Sequence, residues 1–236
     1  MKKKIKLFTF SFTVLVFVLV LTNGCKKDDN NNNPTPPTTV TDIDGNVYHT
    51  VKIGTQVWLV ENLKVTKYRN GDPIPNVTND TQWSKLSTGA YCYYNNVSDS
   101  GIIYGKLYNW YAVIDTRNIA PIGWHIATDA EWTTLFNFLG SDSLAGGKLK
   151  EKGTNHWNNP NTGATNEKGF TALPGGNRYY FTGEFKYIRK YGLFWSTTQL
   201  STDWANRYCL SYASSNVSHA ACQKRDGNTV RCLKDK

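Results

Sequence analysis

Hydrophobic positions change their spacing several times along the chain. Residues 7–21 form an uncharged run of mostly aliphatic and Phe side chains, diluted by Thr9, Ser11 and Thr13 and entered through Lys2, Lys3, Lys4 and Lys6. Residues 30–39 are Asn, Pro and Thr, with nothing apolar to bury. From 47 to 60 apolar and polar residues alternate in two short runs around Gly54-Thr55, the pattern of a β-hairpin. Leu107, Trp110, Tyr111 and Ile114 then recur at i, i+3, i+4 and i+7, and Trp132, Leu135, Phe136 and Leu139 repeat that spacing, so each set predicts one stripe of a helix. Thr128 and Glu131 form a capping box before the second stripe, and Gly140 closes it. Residues 123–127 read as a short strand. Residues 153–168 are Asn, Thr, Gly and Pro around one Trp, which predicts a long ordered loop of the kind that carries binding surface. Strand-like runs follow at 169–173, 177–181, 184–188, 193–197, 207–212, 217–223 and 229–233, with Asp226-Gly227 as a hairpin turn. Helices early and strands late predict an α+β domain. There is no internal repeat.

Composition narrows this picture. Nineteen glycines, 14% aromatic and 19% charged residues in 236 exclude a coiled coil, a helix bundle and collagen. Residues 40–236 suffice to bury a core without metals or dense disulfides. The formal charge of +9 is concentrated partly in the first 27 residues. The excess left beyond them is mild and scattered, which argues against nucleic acid as a partner.

Residues 1–24 have the layout of a signal peptide. The uncharged stretch also approaches the ~20 residues that span a bilayer, so a retained anchor is the alternative. Gly24-Cys25 at the end of the apolar run resembles the lipobox of bacterial lipoproteins, which implies acylation of Cys25 and attachment to a membrane through lipid. Lys26-Lys27-Asp28-Asp29 resembles the export tag of Bacteroidetes surface lipoproteins, implying an outer-membrane protein that faces the exterior. Residues 25–39 then act as an extended tether, and 40–236 as the folded domain.

Cys92, Cys209, Cys222 and Cys232 remain, an even number in an exported chain, which predicts two disulfides with three pairings open. No Cys-x-x-Cys occurs, and no metal site is predicted.

Several blocks resemble the Fibrobacter succinogenes major paralogous domain family. They are Asp42-Ile43-Asp44-Gly45-Asn46, Val51-Lys52-Ile53-Gly54 with Trp58, Glu61-Asn62-Leu63, Gly105 with Leu107-Tyr108-Asn109-Trp110-Tyr111-Ala112, Gly123-Trp124-His125, Ala145-Gly146-Gly147-Lys148-Leu149-Lys150, Leu173-Pro174-Gly175-Gly176 and Val230-Arg231-Cys232. The blocks run in order over 40–236. The family has no settled activity. Thr128-Asp129-Ala130-Glu131-Trp132 and Thr229-Val230-Arg231-Cys232 are also similar to the formylglycine-generating, sulfatase-modifying-factor fold, a relative of the C-type lectin fold. That likeness implies two helices against a twisted, loop-rich antiparallel sheet. The family resemblance implies a Cys92–Cys232 bridge and, with it, Cys209–Cys222.

No catalytic residue is assigned. Cys209 and Cys222 do not match the spacing of the copper-binding cysteines in formylglycine-generating oxidases, and the chain lacks a nucleophile elbow, a zincin helix and a phosphate loop. The lectin-like fold would place ligand on the long loop and adjoining strands, at Trp157, Asn158, Asn159, Asn161, Asn166, Glu167, Arg178, Tyr179 and Tyr180. Sugars suit such a surface, since their C–H faces stack on flat rings while amides and guanidinium groups meet their hydroxyls. The competing reading makes Trp157 a plug and the Asn side chains turn-holders. Asn159-Pro160-Asn161 lacks the carboxylate a hard cation prefers, so calcium is compatible but not implied. Lys186, Arg189 and Lys190 around Tyr187 and Tyr191 form the densest basic-aromatic cluster, a shape equally expected of a solvated strand edge. The function expected is a non-catalytic binding module for polysaccharide or a surface protein. A structural or interaction lipoprotein and, last, an enzyme are the alternatives.

Overall fold

A computed structural model describes residues 38–236. The expected leader, Cys25 and nearly all of the tether lie outside those residues. The domain is α+β, and its named strands pair antiparallel throughout. One sheet has the order β1 (Thr39–Thr41), β2 (Val47–Ile53), β3 (Gln56–Leu59), β12 (Cys232–Lys234), β6 (Trp124–Ile126). A second runs β11 (Val217–Gln223), β10 (Trp204–Ser211), β9 (Tyr191–Gln199), and two ribbons are made by β4 (Tyr91–Cys92) with β5 (Leu107–Tyr108) and by β7 (Asn177–Arg178) with β8 (Phe185–Lys186). The helices are α1 (Asp80–Ser84), α2 (Ser98–Tyr104), α3 (Trp110–Val113), α4 (Asp129–Phe138) and α5 (Asp142–Leu149).

The hairpin of alternating residues forms as β2–β3, with Gly54 at φ +61° in its turn. The second helical stripe forms as α4. Thr128 caps it, and Glu131 reaches back to the Thr128 N–H at 2.9 Å. Its inward face carries Trp132, whose ring lies 4.8 Å from Trp58, 5.3 Å from Tyr208 and 5.8 Å from both Phe136 and Phe194, so one indole joins the two larger sheets.

The first stripe is a different object. Leu107 and Tyr108 pair with Cys92 and Tyr91 in a ribbon, and only Trp110–Val113 is helical. The Asn109 side chain accepts from the Ala112 N–H at 3.1 Å and from the Ala90 N–H at 3.0 Å, starting a single turn and tying it to the ribbon. Asp226-Gly227 does not return the chain as a hairpin either. After it Gly227 bridges to Arg178, Asn228 to Tyr108 and Thr229 to Phe194, and β12 enters the other sheet. The stripe pattern also did not reveal α5. Its Gly146 and Gly147 are fully packed, since a Cβ at either would strike the backbone of Asn216 or Gly163.

Much of the chain between these elements is loop, and buried cations hold it by main-chain carbonyls. Lys150, 0% exposed, donates to Thr162 O (2.9 Å), Ser211 O (2.7 Å) and Ser214 O (2.8 Å), and burial without a carboxylate pulls its pKa down to about 8. Arg231, equally buried, donates to Leu59 O (2.8 Å), Phe170 O (2.7 Å) and Asn62 Oδ1 (2.9 Å). Arg69 binds the carbonyls of Ala120, Pro121 and Trp124 in the same way. Each bond satisfies an acceptor that a buried loop would otherwise leave bare.

Candidate functional site

The short β7–β8 ribbon carries three consecutive aromatics between its strands. Its tip closes by Tyr179 N–H to Glu184 O at 2.8 Å and Gly183 N–H to Tyr179 O at 2.9 Å. Gly183 sits at φ +77°, where a Cβ would collide with Asp80. Arg178 points inward. Its guanidinium lies between Trp83 (4.6 Å) and Phe185 (4.8 Å) and donates to Gly183 O, Val77 O, Thr78 O and Asp80 Oδ1 at 2.5 to 2.8 Å. With Arg178 fixed below, the residues that follow turn outward.

Tyr179 and Tyr180 meet edge to face at 4.8 Å, and Phe181 continues the row at 6.2 Å while 70% exposed. Lys186 Nζ stands over the Tyr179 ring at 4.4 Å, and Arg225 over the Tyr180 ring at 5.6 Å. Asp226, buried, accepts the Tyr180 N–H at 2.7 Å and fixes the row to the turn after β11. Tyr187, 48% exposed, has φ +71°, a backbone region costly for a bulky residue. Arg189, at φ +63°, joins this segment to the long loop by bonds to Asn155 O (2.9 Å), Thr154 O (3.2 Å) and Asn158 Oδ1 (3.3 Å). The result is a raised aromatic ledge edged by cations. Three clefts of about 190, 400 and 490 Å³ lie elsewhere.

The nine residues expected to bind ligand therefore separate. Tyr179 and Tyr180 form the ledge, Arg178 supports it from beneath, and Asn158 stands at its shoulder against Arg189. Trp157 is 0% exposed and donates to Ala172 O at 3.0 Å. Asn161 is buried and holds Glu151 O (2.9 Å) and Gly153 O (2.6 Å), and Asn166 brackets Thr171 at 2.8 and 2.9 Å. Glu167 faces outward and pairs with Lys148 at 3.5 Å, while Asn159 is exposed without joining the ledge. Trp157, Asn161 and Asn166 are thus placed as the plug-and-turn reading expects. Phe181 and Arg225 were missed; the Tyr179-Tyr180-Phe181 triplet ahead of Gly183 was the available signal.

The four cysteines among the described residues, Cys92, Cys209, Cys222 and Cys232, are free. Cys209 faces Ser218 and Cys222 faces Ala205 in the β10–β11 ladder, four steps apart. That offset is about 13 Å along the strands, whereas a bridge needs Cα atoms within about 7 Å. Cys92 pairs with Leu107 in its ribbon and Cys232 with Ile126 in the large sheet. Neither implied bridge is present in this structure. Burial pushes the Cys92 and Cys232 thiols up to about 12, and Cys222 donates to Asp226 Oδ2 at 2.7 Å, both of which favour the protonated thiol.

His125 sits between two carboxylates, with Nδ1 2.6 Å from Asp235 and Nε2 2.8 Å from Glu131, an arrangement that favours the imidazolium. Burial pulls its pKa down, but the bonds to Asp235 and Glu131 outweigh it and the net shift is upward. A raised folded value gives stability that is complete below the unfolded value of about 6.5 and fades as pH rises through the folded one. Asp235→Asn is expected to move the His125 titration, followed by NMR, to lower pH and to narrow the stability gap between acid and alkaline buffers. Identical titrations in both proteins would refute the clamp. Among the described residues no group of three or more His, Cys, Asp or Glu is placed to hold a metal ion.

Fold and site together define a loop-rich antiparallel α+β domain with an aromatic ledge. Residues 51–234 match the family model of the Fibrobacter succinogenes major domain, and the chain belongs to that family. No curated protein and no solved structure matches it.

Proposed function

We propose that this protein is a non-catalytic binding module for extracellular polysaccharide, carried on the outer membrane by lipid at Cys25 and facing the exterior. The observation that carries the reading is the ledge: exposed Phe181 and Tyr187 flank the half-buried Tyr179 and Tyr180, beside Lys186 and Arg225. The exposed rings contribute little to the core, and the row suits the C–H faces of sugars, with cations and phenol hydroxyls at the rim. The antiparallel sheets, loop-rich connections and early helices support a C-type lectin-like, sulfatase-modifying-factor-like arrangement. Stacking of this kind requires neither calcium nor another cofactor. Among the described residues no helix is long and apolar enough to cross a membrane; lipid at Cys25 is proposed from the Gly24-Cys25 boundary of the apolar run.

The test is retention of the purified protein on a panel of immobilised neutral and acidic polysaccharides. Tyr180→Ala and Phe181→Ala are each expected to weaken binding about fivefold to tenfold, on the order of 1 kcal/mol per ring, with the melting temperature little changed for Phe181→Ala. No retention on any polysaccharide would defeat the reading in favour of a protein-interaction lipoprotein.

A further inference from the structure

Arg69, Arg117, Arg178, Arg189, Arg225 and Arg231 all spend their guanidinium groups on carbonyls or carboxylates. Among the described residues Arg207 is the exception. Its Nε is buried without a partner, and the bond it makes, to Asn206 Oδ1 at 3.0 Å, comes from its backbone N–H. A guanidinium that has lost part of its water and gained no acceptor is costly to the fold.

Its place follows from register, because opposed side chains share a face of a ladder and alternate along it. Arg207 therefore lies on the face of β10 that carries Ala205, Cys209 and Ser211, with Cys222, Ala220 and Ser218 beside them on β11. Toward β9 this face is sealed by buried Leu193 and Trp195, and toward β11 it opens at Ala220 and Ser218. Both ends of the ledge meet the same face. Tyr180 gives its N–H to Asp226, which accepts from Cys222, and Tyr187 packs edge to face at 5.2 Å on Tyr191, the register partner of Ser211. From Ala205 to Ser211 is about 20 Å of strand, and Arg207 falls within it. It is near enough to Asp226, Cys209 and Cys222 to offset part of the burial that raises their pKa values. The other charges here are engaged: Asp226 with Tyr180 and Cys222, Lys186 with Glu184 at 3.3 Å, and Arg225 with Ser84 O at 2.6 Å.

We propose that Arg207 is the anion-recognising residue of the ledge, and that the polysaccharide taken there is acidic, its carboxylate or sulfate groups pairing with the Arg207 guanidinium. The inference rests on the ledge reading and names its substrate class. A planar guanidinium meets such a group through charge-assisted, bidentate bonds, while the rings stack on the neighbouring C–H faces. A neutral polymer would leave the cation unpaired, so the same residue rejects what it does not match.

Calorimetric titration with polygalacturonate, its methyl ester, a sulfated galactan and the same galactan without sulfate tests this. The intact protein is expected to bind at least one acidic polymer at least tenfold more tightly than its uncharged counterpart, and the pair that shows the difference names the anion. Arg207→Gln should cut that preference to twofold or less, with uncharged binding within twofold of the intact protein and the melting temperature little changed. Arg207→Lys recovers part of the preference, Lys190→Gln keeps most of it, and Tyr180→Ala weakens acidic and uncharged polymers alike. Equal binding of both members of each pair, or a preference that survives in Arg207→Gln, overturns the inference and spares the ledge. So does a loss as large in Lys190→Gln as in Arg207→Gln, which would mean diffuse charge. No binding of any of the four polymers by the intact protein overturns ledge and anion site together.

Discussion

Trp157→Ala is expected to lower stability by about 3–5 kcal/mol, the range for deleting a fully buried aromatic, and to leave polysaccharide binding by the folded fraction unchanged. The indole is sealed from solvent, bonded to Ala172 O, and lies with Lys150 Nζ 5.4 Å from its ring centroid. Its removal opens a void under the long loop, strips the Ala172 carbonyl of a donor, and exposes to water the lysine that binds Thr162 O, Ser211 O and Ser214 O. Trp157→Phe keeps an aromatic ring in the site but loses the hydrogen bond, so about 1–3 kcal/mol is expected. Urea titration measures both. A loss under about 1 kcal/mol for alanine, or binding abolished at full stability, would return Trp157 to the ligand surface.

The second large effect is expected at Arg178→Ala, again about 3–5 kcal/mol, because one change strands several polar groups at once. The carbonyls of Val77, Thr78 and Gly183 lose their donor, Asp80 loses its cation, and a gap opens between Trp83 and Phe185. Lysine keeps the charge but cannot reproduce the planar fork, so Arg178→Lys should recover only part of the loss. Since Arg178 positions the ledge and is fully buried beneath it, Arg178→Lys should still bind polysaccharide in its folded fraction. A stable Arg178→Ala protein that has lost binding would mean that the guanidinium itself meets ligand.

These two residues also show where sequence reasoning stops. Trp157 in an Asn-rich loop has the composition of a sugar site, yet nothing in the local string says which way the indole turns; Lys150 and Ala172, which receive it, are 7 and 15 positions away. Arg178 beside two tyrosines reads as a surface guanidinium, and its acceptors Val77 and Thr78 lie about a hundred residues earlier. What was legible was local. The β2–β3 hairpin, the capping box of α4 and β11 are each set by a turn, a cap or an alternation within a dozen residues. The stripe at Leu107 failed because pairing with Tyr91 and Cys92 competes with helical periodicity, and periodicity does not register a partner strand. The tyrosines of the ledge were legible as chemistry and Phe181 continues their triplet, while Arg225 joins them only through folding of β7–β8 against the turn after β11.

Lys150, Arg231 and Arg69 grip mostly carbonyl oxygens, which every amino acid supplies alike. The scaffold is thus largely indifferent to which side chains its loops display, and outward positions can be rewritten by mutation without unfastening what lies beneath. A lineage that duplicates such a domain inherits a blank label on a durable mount, free to acquire a new specificity in each copy.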